Sequence, residues 1–201
     1  MKKRIFAVLF ATMMLAGCGG DDHAGHNHDK DHAEEQKQEV EVEQELDETS
    51  AYLQGLPKLI TVDDAVAEDF FVIQDGVTSN QEAWDAFAAA VEKGEEAEVV
   101  VCQFTMKGGT VLDHLKYTAD GNFVVTSDTS RDGYNDEKSK LKAAETYTEM
   151  KRFENFSLQE GGTAYTVCVL SDNPELTADD FRAEWINMTA EENHIYMLFV
   201  I

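Results

Sequence analysis

Val99-Val100-Val101-Cys102-Gln103-Phe104-Thr105 leads through Met106-Lys107-Gly108-Gly109 into Val111–Tyr117, and Ala119-Asp120-Gly121-Asn122 leads on into Phe123–Ser127. Three runs rich in β-branched and aromatic residues, separated by glycine-bearing turns, predict three antiparallel strands in a meander. The first run is continuously apolar, as a central strand is. Just before it, Gln81–Lys93 carries Trp84, Phe87, Ala88 and Val91 at helical spacing. Asn80 stands where an N-cap belongs and Gly94 where a C-cap does. The aromatic stripe reads as the core-facing side of this helix.

Working outward, Thr61-Val62-Asp63-Asp64 and Thr177-Ala178-Asp179-Asp180 both begin like capped helices with acids in the first turn. Phe181 and Trp185 lie one turn apart in the second. Phe70–Ile73 predicts a strand ended by Asp75-Gly76. Tyr147–Leu158 alternates roughly, Glu160-Gly161-Gly162 turns the chain, and Thr163–Leu170 returns as a strand. His194–Ile201 reads as a buried closing strand. Thr129–Lys142 is polar and predicts a loop. Strands outnumber helices, so the predicted class is α+β: a single domain over 50–201 with a mainly antiparallel sheet and one principal helix packed on it.

The order Phe87, Val91, Gly94, Val99-Val100-Val101, Thr105, Gly108, Thr110, Val111, Leu115, Tyr117, Asp120-Gly121, Asp128 and Arg131-Asp132-Gly133-Tyr134 resembles an uncharacterised family of Firmicute lipoproteins carrying a domain of unknown function. The resemblance covers about residues 70–135. It departs at the first hairpin, where the family has an acidic-glycine-acidic-proline turn and this chain has Lys107-Gly108-Gly109-Thr110. It implies a compartment and a fold, but no activity.

The chain opens with Lys2, Lys3 and Arg4, followed by an apolar run from Ile5 to Ala16. That pattern is a secretory leader. Spanning a bilayer takes about 20 apolar residues, and this run is shorter. Leu15-Ala16-Gly17-Cys18 resembles the bacterial lipobox, which implies cleavage before Cys18 and a diacylglyceryl thioether on it. Residues 1–17 are therefore expected to be a signal peptide. Cys18 is expected to hold the protein on the extracytoplasmic face of the cell membrane, since two acyl chains anchor stably where one does not.

Residues 18–49 are expected to form a disordered acidic tether, because they carry too little apolar surface to offset ordering entropy. Four of the six histidines of the chain fall here, at His23, His26, His28 and His32, among aspartates. Imidazole suits Zn, Cu and Ni, and carboxylates complete a shell. The tract resembles the histidine-rich segments of bacterial metal-uptake lipoproteins. A divalent metal at the tether is thus one expectation, and a solvated spacer is the other; no further cofactor is expected.

The chain has 40 acidic and 16 basic residues. The leader holds three of the basic ones and none of the acidic, which leaves 13 basic residues and a formal charge of -27 beyond it. Such a charge argues against nucleic acid and against docking on anionic lipid. Cys102 and Cys168 sit in apolar β-like runs. An oxidising compartment allows them to pair, but buried thiols fit their surroundings better.

The sequence contains no GxSxG, HExxH, P-loop or EF-hand pattern. Asp113 and His114 are adjacent in a predicted strand, so they point to opposite faces and form no dyad. An enzyme would require a pocket holding His114 or His194 beside a second titratable group. Asp128, Arg131, Asp132 and Tyr134 form a candidate binding loop, with a solvated Arg-Asp turn as its plain alternative. The expected function is a non-enzymatic binding or interaction lipoprotein. The alternative is divalent-metal capture through the tether.

Overall fold

In a computed structural model, residues 47–106, 108–132, 140–159, 161–191 and 193–201 are described, all within one compact unit spanning Gln44–Ile201. The leader, Cys18, the four tether histidines and Tyr134 lie outside them. Four helices and nine strands follow in the order α1 (Glu48–Gly55), α2 (Val62–Ala67), β1 (Phe71–Gln74), β2 (Val77–Ser79), α3 (Gln81–Glu92), β3 (Ala97–Phe104), β4 (Thr110–Tyr117), β5 (Phe123–Asp128), β6 (Glu145–Tyr147), β7 (Glu149–Phe156), β8 (Tyr165–Ser171), α4 (Ala178–Asn187) and β9 (Ile195–Val200). The class is α+β, as expected.

The meander β3-β4-β5 is antiparallel, and it forms the middle of a six-stranded sheet ordered β2-β1-β3-β4-β5-β6. β1 joins it in parallel to β3, with α3 on the connection. β2 is a short return strand across the Asp75-Gly76 turn, where both residues take positive φ. A second sheet, β7-β8-β9, stands apart from the first. The single sheet expected from sequence is therefore two. The chain passes from one to the other at Thr148, whose amide donates to Asp172 Oδ1 at 3.0 Å. The rough alternation after Tyr147 has a local cause as well. β7 shifts register between Phe153 and Phe156, and Asn155 lies there at φ 54°.

Period-2 alternation sorts the side chains into layers. Phe71, Val101, Leu115 and Val125 face Cys168, Leu170, Leu198 and Phe199 of the second sheet, together with Trp84 and Phe87 of α3. Trp84 meets Phe199 edge-on at 4.8 Å between ring centroids, within the range where aromatic pairs add to plain burial. On the opposite face of the six-stranded sheet, Val72, Val100, Cys102 and Leu112 pack beneath Leu53 and Ala65 of α1 and α2. α4 covers the far side of the second sheet through Phe181, against Phe156, Val167 and Ile195.

The expected caps at Thr61 and Thr177 are full capping boxes, with Asp64 and Asp180 returning the bond. Asn80 differs from expectation. It is left-handed, makes no side-chain cap, and donates instead to Asp69 Oδ1 and the Phe70 carbonyl. Gly94, at φ 70°, closes α3 with the Glu95 amide reaching back to Ala90 O at 3.0 Å, the bond of a Schellman end. Cys102 and Cys168 are both free and buried, in clusters on opposite sides of the six-stranded sheet. Burial pushes both thiols up to about 12, so both are inert.

Candidate functional site

β3 and β4 pair so that Glu98 lies opposite Lys116 and Val100 opposite His114. All four point to the α1 face of the sheet. Glu98 Oε2 thus comes between two cationic or basic groups, at 3.7 Å from Lys116 Nζ and 3.6 Å from His114 Nε2. Asp113, one residue earlier, points the other way, as the strand period requires.

Above these residues α1 and the α2–β1 turn close a cleft of about 410 Å³. Three segments set its walls. Asp47 caps α1 by accepting from the Ser50 amide and hydroxyl, both at 2.9 Å. That fixes Glu48, Thr49 and Tyr52 along one wall. Glu48 and Thr49 belong to this helix, although the sequence places them in the tether. The Asp69 turn forms the opposite wall. Asp69 takes φ 64°, and the Phe70 amide reaches back to Ala65 O at 2.9 Å. An aspartate tolerates this left-handed turn better than most residues, and Asn80 holds its carboxylate.

His114 forms part of the floor. It is 7% exposed, and its Nδ1 has no hydrogen-bond partner. Nε2 stands too far from Glu98 for a hydrogen bond. Burial holds the ring below the ordinary histidine range, against the pull of Glu98, so the imidazole is neutral at pH 7. A buried, neutral ring with an unused nitrogen costs free energy. The Tyr52 ring stands edge-on to it at 6.2 Å. Burial, then Glu68 and Glu98, push the Tyr52 hydroxyl up. Four carboxylates, Glu48, Glu68, Asp69 and Glu98, line the cleft against one ammonium, Lys116.

The candidate loop presents a different arrangement. Asp128 is fully buried and Arg131 nearly so. Arg131 Nη1 donates to Asp128, Nη2 to the carbonyls of Leu53 and Leu56, and Nε to the carbonyl of Pro57. The guanidinium therefore caps the C-terminal end of α1 and ties it to the end of β5. Asp132 accepts from Thr105 Oγ1 at 3.2 Å, at the β3–β4 hairpin. A Cβ on Gly109 would lie 2.7 Å from both Arg131 O and Asp132 Cα, so this hairpin needs glycine there. Asp128 and Arg131 thus form the expected Arg-Asp pair, buried rather than solvated, and Tyr134 of the candidate loop lies outside the described residues.

His194 lies outside the cleft, in the turn before β9, with Nδ1 2.6 Å from Asp172 and its ring stacked on Tyr147. Among the described residues no cluster of three histidine, cysteine or carboxylate groups could hold a metal ion, and no helix is long and apolar enough to cross a membrane. The pairing of Glu98, His114 and Tyr52 was not readable beforehand. Its only sequence signal is the shared parity of 98, 100, 114 and 116 once the hairpin register is known.

No curated protein and no solved structure matches the chain. Residues 68–158, which hold Asp69, Glu98, His114, Lys116, Asp128 and Arg131, match a family described as a domain of unknown function, DUF4362.

Proposed function

We propose that this chain is a lipoprotein anchored through Cys18 on the extracytoplasmic face of the cell membrane, and that its folded domain binds a small ligand without transforming it. The observation that carries the binding reading is His114: a nine-tenths buried side chain on the floor of a cleft, hydrogen-bonded at neither ring nitrogen, with Nε2 left 3.6 Å from Glu98 Oε2. Folding does not profit from such a group, whereas a ligand donor that reaches Nε2 gains a bond there. The cleft does hold His114 beside a second titratable group, Glu98, as an enzyme would require; binding is favoured over catalysis because no hydroxyl or thiol of the described residues is hydrogen-bonded to His114, so the ring activates no protein nucleophile there. The leader and Leu15-Ala16-Gly17-Cys18 support the anchor.

A ligand-observed NMR screen of chemically mixed small molecules against the wild type and His114→Leu tests the binding reading. Hits whose signals recover in the variant are expected; a screen with no such hit refutes it. Metabolic labelling with an alkyne fatty acid tests the anchor, with label expected on the wild type and absent from Cys18→Ser.

A second reading rests on the histidine tract alone. Four imidazoles within ten residues, interleaved with aspartates, suit divalent Zn, Cu or Ni. Zinc calorimetry on the whole protein, compared with a variant in which His23, His26, His28 and His32 are all alanine, decides it. Equal heats would dismiss metal capture. Truncation at Thr49 would be a poor substitute, because it removes Asp47, the N-cap of α1.

A further inference from the structure

We infer that the cleft takes a small organic cation bearing a primary ammonium group, held between Glu98 and His114 beside the Tyr52 ring. This rests on the binding reading above and names its ligand class.

Charge gives the sign. Glu48 and Glu68 line the cleft with no ion-pair partner among the described residues, and Glu98 has one ammonium near it, that of Lys116, beside the ring of His114. An anion would face this excess of carboxylates at close range, where repulsion is weakly screened.

Geometry gives the head group. Glu98 Oε2 and His114 Nε2 are 3.6 Å apart. They are too distant to bond each other, yet one –NH3+ group can donate to both. An ammonium has three donors and no acceptor, which suits two acceptors and leaves one N–H for Glu68 or water. Lys116 shows that this carboxylate already attracts such a group. Tyr52, 41% exposed beside the ring, offers an aromatic face to a cation. A bare divalent metal fits less well, since no three ligating groups converge among the described residues. A volume of about 410 Å³ also has the size of a small-molecule site.

Lys116 then competes with the ligand for Glu98, and this makes a signature. Lys116→Gln removes the internal competitor and is expected to tighten binding about threefold. Glu98→Gln is expected to weaken it at least tenfold, and His114→Leu by a similar factor. The probe is 1,4-diaminobutane, titrated at low ionic strength into the whole protein from Cys18 onward and read by calorimetry and by the His114 imidazole resonances. The neutral isostere 1,4-butanediol and the dianion succinate are the controls.

Expected is saturable 1:1 binding of the diamine that shifts His114 and follows the three variants as stated. Diamine heat that is unchanged in Glu98→Gln and His114→Leu would place the diamine on the acidic tract and overturn the inference. A His114 shift with butanediol or succinate but not with the diamine would overturn the cation while leaving the binding cleft standing. If the diamine leaves His114 unmoved while the broader screen also finds no His114-dependent hit, both fall.

Discussion

Arg131, in the loop after β5, and His114, on β4, both meet α1, and both are buried polar side chains. The guanidinium donates to four oxygens: Asp128 and the carbonyls of Leu53, Leu56 and Pro57. The imidazole donates to none and accepts from none. The difference separates two uses of buried polarity. A saturated group specifies the fold and resists change, because removing it strands its partners. An unsaturated one weakens the fold slightly, and on the binding reading proposed for His114 it is kept for a ligand.

The largest expected effect breaks the saturated side. Arg131→Ala leaves Asp128 charged and buried and frees three helix-end carbonyls. Loss of one partner from a buried pair costs about 3–5 kcal/mol, so urea unfolding of this variant should show a loss of that size. Arg131→Lys should recover little of it, since one ammonium cannot reach the same four acceptors.

A second buried acid tests saturation under charge. Asp113 accepts from Tyr196 at 2.6 Å and from Gln103 at 3.4 Å, between the two sheets. Burial pushes its carboxyl up to about 6 from 3.8, although the Tyr196, Ser127 and Gln103 bonds oppose the rise. A raised folded value means that this contribution is fully present below pH 3.8 and is lost as pH rises through about 6. The shift corresponds to about 3 kcal/mol. The loss of unfolding free energy from pH 4 to pH 7 should therefore be smaller, by about 2 kcal/mol, in Asp113→Asn than in the wild type.

Gly109 lets the Arg131–Asp132 segment sit against the β3–β4 hairpin. Gly109→Ala drives a Cβ into backbone at 2.7 Å and should cost about 2 kcal/mol, read as a lower melting temperature. Gly94→Ala, with open space around it but φ at 70°, should cost about 1 kcal/mol.

How far sequence carried this comparison depended on the range of the interactions. The meander, α3, the Thr61 and Thr177 boxes and the opposite facing of Asp113 and His114 are local matters of periodicity and capping. They were legible. α1 was not, because Glu48–Gly55 has only Ser50 and Leu53 buried and continues an acidic tract. Its end is held by Arg131, 78 residues beyond Leu53. The split into two sheets turns on Thr148 and the distant Asp172. β2 is three residues long and shows no alternation to read. The cleft combines α1, the Asp69 turn and the β3–β4 register, so no single stretch of sequence announces it. At the Arg131 loop the Arg-Asp pair was legible but its burial was not, since burial by α1 could not be foreseen without α1.

The most direct test is the unfolding free energy of His114→Leu at pH 7. If the imidazole is there for a ligand, the apolar side chain relieves an unsatisfied buried nitrogen, and the variant should equal or exceed the wild type, by up to about 1 kcal/mol. A loss of about 2 kcal/mol or more would make His114 a structural residue like Arg131 and contradict the account.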